Sequence, residues 1–232
     1  MKRSHAQTFL VIPARKAVGL TSVALGLVRA LQRLGVEAGF VKPIAEETPD
    51  RSGYFARQIF QMQVPEALLL QETAERIAAN QTSELLEEIV GLCMKAGADA
   101  NVLIIEGLHA DESRSFISQI NVDIARSLNA EVIVVADASQ ESAFSDLRFA
   151  IGQFLNSGCR VAGVVFNKAA EEFDGEAAQR RLGKPRLWGV VHDNPILRAP
   201  RTLDVAQHLA AEVVSPGEMG VRRMIHTVIA AR

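Results

Sequence analysis

Short apolar runs rich in β-branched residues alternate along the chain with longer segments whose apolar residues recur at helical spacing. Six strands are predicted, over residues 9–12, 39–43, 102–106, 131–136, 161–167 and 187–191. Most of these runs are apolar at successive positions, which is typical of parallel strands buried on both faces. Helices are predicted over residues 21–34, 83–95, 119–128 and 142–155. The pattern therefore predicts an α/β fold, a mostly parallel twisted sheet flanked by helices on both faces.

Two segments between these elements do not follow the alternation. Residues 46–81 are irregular and contain the turn-forming Pro49, Gly53 and Pro65, so we expect a lid or a helical insertion there. Residues 169–186 are polar and are expected to form a surface connection. Either Thr82 or Ser83 is expected to cap the helix that follows the first of these segments.

Composition indicates one large domain and excludes several classes of function. The chain has 232 residues, of which 48% are hydrophobic, and a formal net charge of -2. We expect one α/β domain over residues 1–215, followed by a tail or the start of a further domain over residues 216–232. The near-neutral charge, with one tryptophan and one tyrosine, argues against a nucleic-acid partner.

Targeting and redox signals are also lacking in the sequence. No apolar run approaches the roughly 20 residues that span a bilayer, and the first residues lack the apolar stretch of a signal peptide. A cytoplasmic protein without a membrane partner is therefore expected. Cys93 and Cys159 lie far apart without a CxxC spacing, so we expect two buried thiols and no metal site.

The last residues of the chain carry an apolar pattern of their own. Met224, Ile225, Val228 and Ile229 place apolar side chains at roughly helical or strand-like spacing. A bare surface of this kind predicts self-association or docking to a partner. The alternative is that the segment packs on its own sheet as an additional strand.

Residues 13–22 follow the first predicted strand and run directly into a helix, which is where a phosphate-binding loop lies. Such a loop surrounds an anion with backbone N–H groups, while a lysine neutralises the outer phosphates and a Ser or Thr hydroxyl holds magnesium. Gly19 and Thr21 match the second glycine and the hydroxyl, but Pro13 and Leu20 stand at the first-glycine and lysine positions. A charge-assisted hydrogen bond contributes ~1.5–3 kcal/mol, so losing the lysine weakens phosphate binding roughly 10- to 150-fold.

The loop therefore predicts a degenerate anion or nucleotide site. Its candidate ligand-binding residues are Arg15, Lys16, Gly19, Thr21 and Ser22, with Arg15 or Lys16 in partial substitution for the missing lysine. The alternative is that Gly19 only permits close packing of the helix on the strand. We expect weak nucleotide or anion binding, no required cofactor, no catalytic residue and no metal ligand.

Several blocks of the sequence resemble the N-terminal domain of the long, multidomain phosphate acetyltransferases. The blocks at residues 10–13, 18–23 and 40–45 carry the resemblance first. Residues 105–108, 127–131, 163–168 and 187–191 continue it in the family's order, and Arg201, Asp204, His208-Leu209 and Arg222-Arg223 extend it over nearly the whole chain. The most specific block is Val-Gly-Leu-Thr-Ser at 18–22, because the wider superfamily has lysine in place of Leu20.

The same domain is similar to dethiobiotin synthetase and to the cobyrinic acid amide-forming enzymes, which bind ATP on a P-loop NTPase-like fold. The resemblance implies that Lys42 faces a phosphate or substrate, that Glu106 approaches magnesium, and that Asn167 recognises adenine. From the residues alone, Lys42 is equally well an exposed lysine at a strand end. Likewise Glu106 is open to a solvated or helix-capping role, and Asn167 to a turn.

In the family, acetyl transfer resides in a separate C-terminal domain that recognises coenzyme A, and nothing in these 232 residues corresponds to it. The resemblance therefore implies a non-catalytic regulatory and assembly domain. Its expected partners are the remainder of a phosphate acetyltransferase or a second copy of the chain, together with a small-metabolite effector. The alternatives are an active ATP-dependent ligase of the dethiobiotin synthetase type, for which Leu20 is the discriminating residue, and a purely structural interaction module with a vestigial pocket.

Overall fold

The computed structural model describes residues 6–109, 116–195, 201–212 and 214. Backbone contacts divide the chain into two compact units, Met1–His192 and Asp193–Arg232. In chain order the first unit contains β1 (Gln7–Pro13), α1 (Leu20–Arg33), β2 (Ala38–Val41), β3 (Ile44–Ala45), α2 (Arg51–Phe60), β4 (Leu68–Leu69), α3 (Leu70–Ala78), α4 (Thr82–Ala96), β5 (Val102–Glu106), α5 (Phe116–Ser127), β6 (Glu131–Asp137), α6 (Ala143–Asn156), β7 (Val161–Ala169), α7 (Gly175–Leu182) and β8 (Arg186–His192). The second unit contains α8 (Thr202–His208).

Six strands form one sheet in the order β2-β5-β1-β6-β7-β8. Every neighbouring pair in it is parallel, and β1 lies between β5 and β6 at the centre. The short strands β3 and β4 pair with each other in parallel. Each of the six predicted strands overlaps a strand of the large sheet, so the predicted α/β class and its parallel sheet are confirmed.

The strands are apolar at successive positions because helices cover both faces of the sheet. On one face, Val11, Val135 and Val165 pack in a cluster with residues of α1. On the other, Leu10 and Val134 pack with residues of α4, α5 and α6. Burial of apolar area on both sides is the main favourable term for such a sheet, at roughly 25 cal/mol per Å².

The irregular segment at residues 46–81 is a helical insertion, which was one of the two expectations for it. It contains α2, β4 and α3, and α2 begins where the Asp50 side chain accepts a hydrogen bond from the Gly53 N–H at 2.6 Å. The expected capping by Thr82 or Ser83 is wrong, because α4 begins at Thr82 itself and the residue at its N-cap is Gln81, whose side chain makes no capping hydrogen bond.

The polar segment at residues 169–186 is not only a surface connection. It contains α7, which Asp174 caps by accepting hydrogen bonds from the N–H groups of Glu176 and Ala177 at 2.9 Å. Helical spacing missed it because Ala178 is the one buried residue of this short polar helix. The sequence therefore carried a cap signal without the apolar stripe that predicts a helix.

Both cysteines are free and buried, as predicted. Burial raises the pKa of the Cys93 thiol to about 12, so this thiol stays protonated at neutral pH. Among the helices of the described ranges, none has the length and apolarity to cross a bilayer. The predicted boundary at 215/216 and the apolar positions from Met224 to Ile229 lie outside the described residues.

Trp188 of the edge strand β8 lies across the sheet rather than pointing away from it. Its indole N–H donates to the Ala162 carbonyl at 3.0 Å, and its ring meets Phe9 edge-on, with the two centroids 5.3 Å apart. The indole occupies the space above Gly163, where an added Cβ comes within 2.2 Å of the tryptophan Cδ1 and 2.7 Å of the Arg186 carbonyl oxygen. Glycine at this position is therefore a packing requirement.

The substitution Gly163→Ala is expected to lower the free energy of unfolding by about 1–3 kcal/mol, because the backbone of Arg186 cannot yield as a flexible side chain does. Urea unfolding followed by circular dichroism measures the loss, and emission of the single tryptophan reports displacement of the ring. Gly26→Ala on α1 is the matched control, since an added Cβ there has nothing within 4 Å. Unchanged stability and emission in Gly163→Ala contradict this packing.

Candidate ligand site at the carboxyl ends of the central strands

An open cavity of about 500 Å³ lies where β1, β2 and β5 end. Ligands of open parallel sheets bind at this edge, outside the carboxyl ends of the strands. The walls come from the loop between β1 and α1, from Lys42, from residues 46–52 of the insertion and from residues 106–109. Asn121 of α5 fixes the last of these, because its side chain accepts from the Leu108 N–H and donates to the Leu108 carbonyl.

The loop between β1 and α1 has the backbone of an anion-binding loop. Gly19, immediately before the helix, has a left-handed φ of 80°, and Ala17 has a φ of 62°. Within the described part of the chain, the N–H groups of Gly19, Leu20 and Thr21 have no hydrogen-bond acceptor. These N–H groups, at the positive end of the α1 dipole, are available to an anion.

Side chains from β7 hold this loop from behind. Asn167 donates through Nδ2 to the Val18 carbonyl at 2.8 Å, and Lys168 donates through Nζ to the Ala17 carbonyl. The same ammonium lies 2.9 Å from Asp137 Oδ2 at the end of β6. Burial tends to raise the pKa of Asp137, but the hydrogen bonds it accepts outweigh that effect and lower its pKa. Because both loop carbonyls are bound on the β7 side, the loop conformation is fixed without a ligand.

Gly19 also meets a packing requirement. A Cβ added to it lies 2.3 Å from Asn167 Nδ2, so any other residue displaces the asparagine or the loop. Gly19 therefore permits the close packing of helix and strand, and it also adopts the left-handed conformation that the loop requires. One glycine serves both purposes because it has no Cβ, which permits both the left-handed φ and the close approach of Asn167 from β7.

A buried polar network is centred on Glu106 at the end of β5, which is 2% exposed. Its Oε1 accepts hydrogen bonds from Thr21 Oγ1 and from Ser52 Oγ, both at 2.9 Å. Lys42 Nζ lies 3.4 Å from the same oxygen and 3.1 Å from Asp50 Oδ1. The network thus joins α1, β2, α2 and β5 around the cavity.

The charges in this network oppose one another. Burial raises the pKa of Glu106, against the lowering effects of Lys42, Ser52 and Thr21. Burial alone lowers the pKa of Lys42, but Glu106 and Asp50 together raise it above its ordinary value, so its ammonium stays charged. Glu106 Oε2 is buried and accepts no hydrogen bond from the described residues. A buried carboxylate oxygen without a hydrogen-bond donor is costly in free energy.

The structure brings five of the eight predicted residues together at the cavity: Arg15, Gly19, Thr21, Lys42 and Glu106. The interpretation of Lys42 as an exposed lysine is wrong, because its side chain is only 19% exposed and ion-paired. A solvated role for Glu106 is also wrong, because this residue is buried and its Oε1 accepts two hydrogen bonds. Asn167 is not in a turn either, since it belongs to β7.

Three predicted residues lie elsewhere. Lys16 is exposed and does not line the cavity. Ser22 lines a separate apolar groove of about 360 Å³ between α1 and β7–β8. Asn167 lines that groove as well and contacts the site only through the loop that it supports. Arg15 reaches the cavity while donating to Ser142 Oγ at 3.0 Å.

Sequence reasoning missed the contribution of the insertion. Asp50 and Ser52 supply a carboxylate and a hydroxyl to the network, and Glu46 and Glu47 add two more carboxylates to the wall. The signal for Asp50 was present, because aspartate before a helical segment is a common N-cap. Residues 46–81 were expected only as a lid or a helical insertion, so that signal had no predicted helix start to which it could be assigned.

Comparison with known proteins identifies the family of this chain. The AAA_26 family model, described as an AAA domain, matches residues 7–201. Phosphate acetyltransferases of Pseudomonas putida and Deinococcus radiodurans are 36% and 35% identical to the chain over 97% of its length. The phosphate acetyltransferase of Escherichia coli is 27% identical over 98% of the chain. The chain spans about a third of the length of these relatives, 35% to 37%.

Solved structures agree on the fold. A putative plasmid partition protein of Borrelia burgdorferi bound to AMPPNP superposes with a TM-score of 0.59, at 11% identity, over 82% of this chain and 88% of that one. A nucleotide-binding protein of Archaeoglobus fulgidus in complex with ADP gives a TM-score of 0.54, at 13% identity, over 83% of this chain and 84% of that one. At these identities the likeness concerns the fold alone.

Removing the support behind the loop is expected to loosen it. Asn167→Ala leaves the Val18 carbonyl without its donor, so we expect a loss of about 1–3 kcal/mol in the free energy of unfolding. Hydrogen–deuterium exchange of a peptide covering residues 20–27, which contains the Val23 N–H bonded to the Gly19 carbonyl, is expected to accelerate. Asn156→Ala, at the exposed end of α6, is the control that leaves this peptide unchanged. Unaltered exchange in Asn167→Ala contradicts the supporting role.

Proposed function

The chain belongs to the AAA_26 family, and we propose that it is a non-catalytic regulatory and assembly domain of a phosphate acetyltransferase. In this proposal the transfer between acetyl-coenzyme A and phosphate occurs in another part of such an enzyme. The chain itself binds a small metabolite in the cavity and contributes surface for assembly. Its partners are the remainder of the acetyltransferase or a second copy of the chain, in the cytoplasm, without nucleic acid or membrane.

The observation that carries the proposal is that the phosphate-binding lysine is replaced and that Lys42 is already ion-paired at the cavity. Leu20 stands where a phosphate loop has its lysine, and Lys42 is held between Asp50 and Glu106. Neither position offers a free ammonium to the outer phosphates of a nucleotide. Because electrostatic stabilisation is nearly all that a protein supplies to phosphoryl transfer, this arrangement argues against ATP chemistry.

The acidic wall argues in the same direction. The cavity is lined by more acidic than basic side chains. The acidic ones are Glu46, Glu47, Asp50 and Glu106, and the basic ones are Arg15, Lys42 and Arg51. Two like unit charges 4 Å apart repel by about 4 kcal/mol at an effective dielectric constant of 20. A single hydrogen bond from the loop, ~1.5–3 kcal/mol even when charge-assisted, does not offset several such repulsions. A polyphosphate is therefore a poor match for this cavity.

The alternative is an active ATP-dependent ligase of the dethiobiotin synthetase type. One observation favours it, namely that the loop keeps an anion-binding backbone held by Asn167 and Lys168. Thr21 also keeps a hydroxyl beside Glu106, the pair that would approach magnesium in such an enzyme. The two functions differ in whether ATP binds with magnesium and turns over.

The purified chain is expected to form no acetyl phosphate from acetyl-coenzyme A and phosphate, because we place that reaction in another part of the enzyme. A coupled assay for free coenzyme A measures the turnover. The full-length phosphate acetyltransferase of Pseudomonas putida, assayed in parallel, is the positive control. Turnover that stays constant per mole of chain through successive purification steps would falsify the proposal.

Leu20→Lys is expected to strengthen ATP binding roughly 10- to 150-fold, because it restores the cation at the first residue of α1 while the loop keeps its backbone. Thr21→Ala in the same background is expected to remove the magnesium-dependent part. Calorimetry with and without magnesium measures both effects.

Leu34→Lys adds the same charge at the far end of α1, where Leu34 is 78% exposed, and is the control for net charge. No gain from Leu20→Lys means that the loop has lost its ability to bind phosphate. Micromolar, magnesium-dependent ATP binding with hydrolysis in the parent chain decides for the ligase.

A further inference from the structure

The cavity has two chemically opposite walls. On the loop side, the N–H groups of Gly19, Leu20 and Thr21 are hydrogen-bond donors without an acceptor among the described residues. On the other side, the acceptors are the buried Oε2 of Glu106 and the carboxylates of the insertion. A ligand that satisfies both walls carries an anionic group at one end and a hydrogen-bond donor at the other.

The unpartnered oxygen of Glu106 identifies the donor end. Oε1 already accepts from the Thr21 and Ser52 hydroxyls and lies 3.4 Å from Lys42, whereas Oε2 accepts from none of the described residues. The residue is 2% exposed, so bulk water does not solvate this oxygen. Because Oε2 has almost no surface accessible to water, the Glu106 carboxylate turns toward the cavity when a ligand donates to it, and that donor removes the cost of the unmade hydrogen bond.

The charges on this side favour a cationic donor over a neutral one. Arg51 pairs with Glu47 at 3.2 Å, and the single ammonium of Lys42 is shared between Asp50 and Glu106. Glu46 also lines the cavity and has no ion pair among the described residues, so the acidic side keeps an excess of negative charge. An ammonium group meets this excess, and its hydrogen bond to a carboxylate is the strong, charge-assisted kind.

We infer that the cavity binds a small zwitterion, an amino carboxylic acid with its carboxylate at the α1 loop and its ammonium at Glu106 Oε2. The inference rests on the proposed function, in which this cavity holds a small metabolite, and names the class of that metabolite. The loop without a lysine suits a single negative charge, and the acidic wall disfavours polyphosphates.

Calorimetry on the whole chain tests the inference with matched pairs of probes. Glycine, β-alanine and 4-aminobutyrate are compared with acetate, propionate and butyrate, which have the same carboxylate and chain length without the ammonium. At the chain length that fits, the amino acid is expected to bind at least about 10-fold more tightly than its partner. Equal affinity within every pair overturns the inference.

Variants locate the ammonium. Glu106→Gln is expected to bring the affinity ratio of the fitting pair close to one, because the amide no longer attracts a cation. Glu46→Gln changes an exposed side chain and is expected to lower the ratio about 2- to 5-fold, as for a surface charge. Glu131→Gln, at the opposite edge of the sheet, is the control that keeps the ratio. Circular dichroism establishes that each variant is folded.

A ratio that persists in Glu106→Gln overturns the inference, and so does the absence of binding by both series. These failures are distinguishable from failure of the proposed function. Stabilisation of the chain by inorganic phosphate, with neither series bound, leaves the regulatory function standing without the zwitterion. Acetyl phosphate formation by the chain refutes the regulatory function whatever the ratio is.

Discussion

The Glu106 carboxylate is the interaction on which the candidate site depends. It ends a central strand of the sheet, and a carboxylate that is 2% exposed is stable there only with donors around it. Those donors come from three other elements, Thr21 on α1, Ser52 on α2 and Lys42 after β2. The requirement to satisfy one buried charge therefore fixes the loop, the insertion and the strand ends relative to one another. The cavity is the space that this arrangement encloses.

Shape and charge have separate origins in the loop after β1. Its backbone follows from Gly19 before the helix and from Asn167 and Lys168, which bind its carbonyls from the β7 side. Its electrostatic character follows from Leu20, which contributes no charge to the cavity wall. A substitution at the lysine position therefore changes what the loop attracts without removing the contacts that give it its form. The loop can therefore keep an anion-binding backbone although the lysine that would bind nucleotide phosphates is absent.

The same separation explains how much was predictable from the sequence. The six strands were predicted because burial on both faces leaves continuous apolar runs. The family resemblance assigned Lys42 and Glu106 to the ligand site of the loop at Gly19, and the structure brings these three residues together at one cavity. The bounds of α2 and the whole of α7 were not predicted. Helix α7 buries Ala178, and α2 buries small residues while its large apolar side chains, such as Phe55 and Ile59, are exposed. Asp50 and Ser52 were missed with their helix, and the donor that satisfies a buried acid is not encoded in any local pattern.

The network also indicates how occupancy of the cavity can reach the rest of the domain. A ligand that donates to Glu106 Oε2 weakens the attraction between this carboxylate and Lys42. The Lys42 ammonium then pairs more strongly with Asp50, which caps α2. The charge on the α2 cap is thereby coupled to the cavity through a side chain that the ligand does not touch. The coupling requires only that the Lys42 ammonium is shared between Asp50 and Glu106. A ligand charge near one of these carboxylates shifts the ammonium toward the other. In a regulatory domain, such a link connects the content of the cavity to the stability of the insertion.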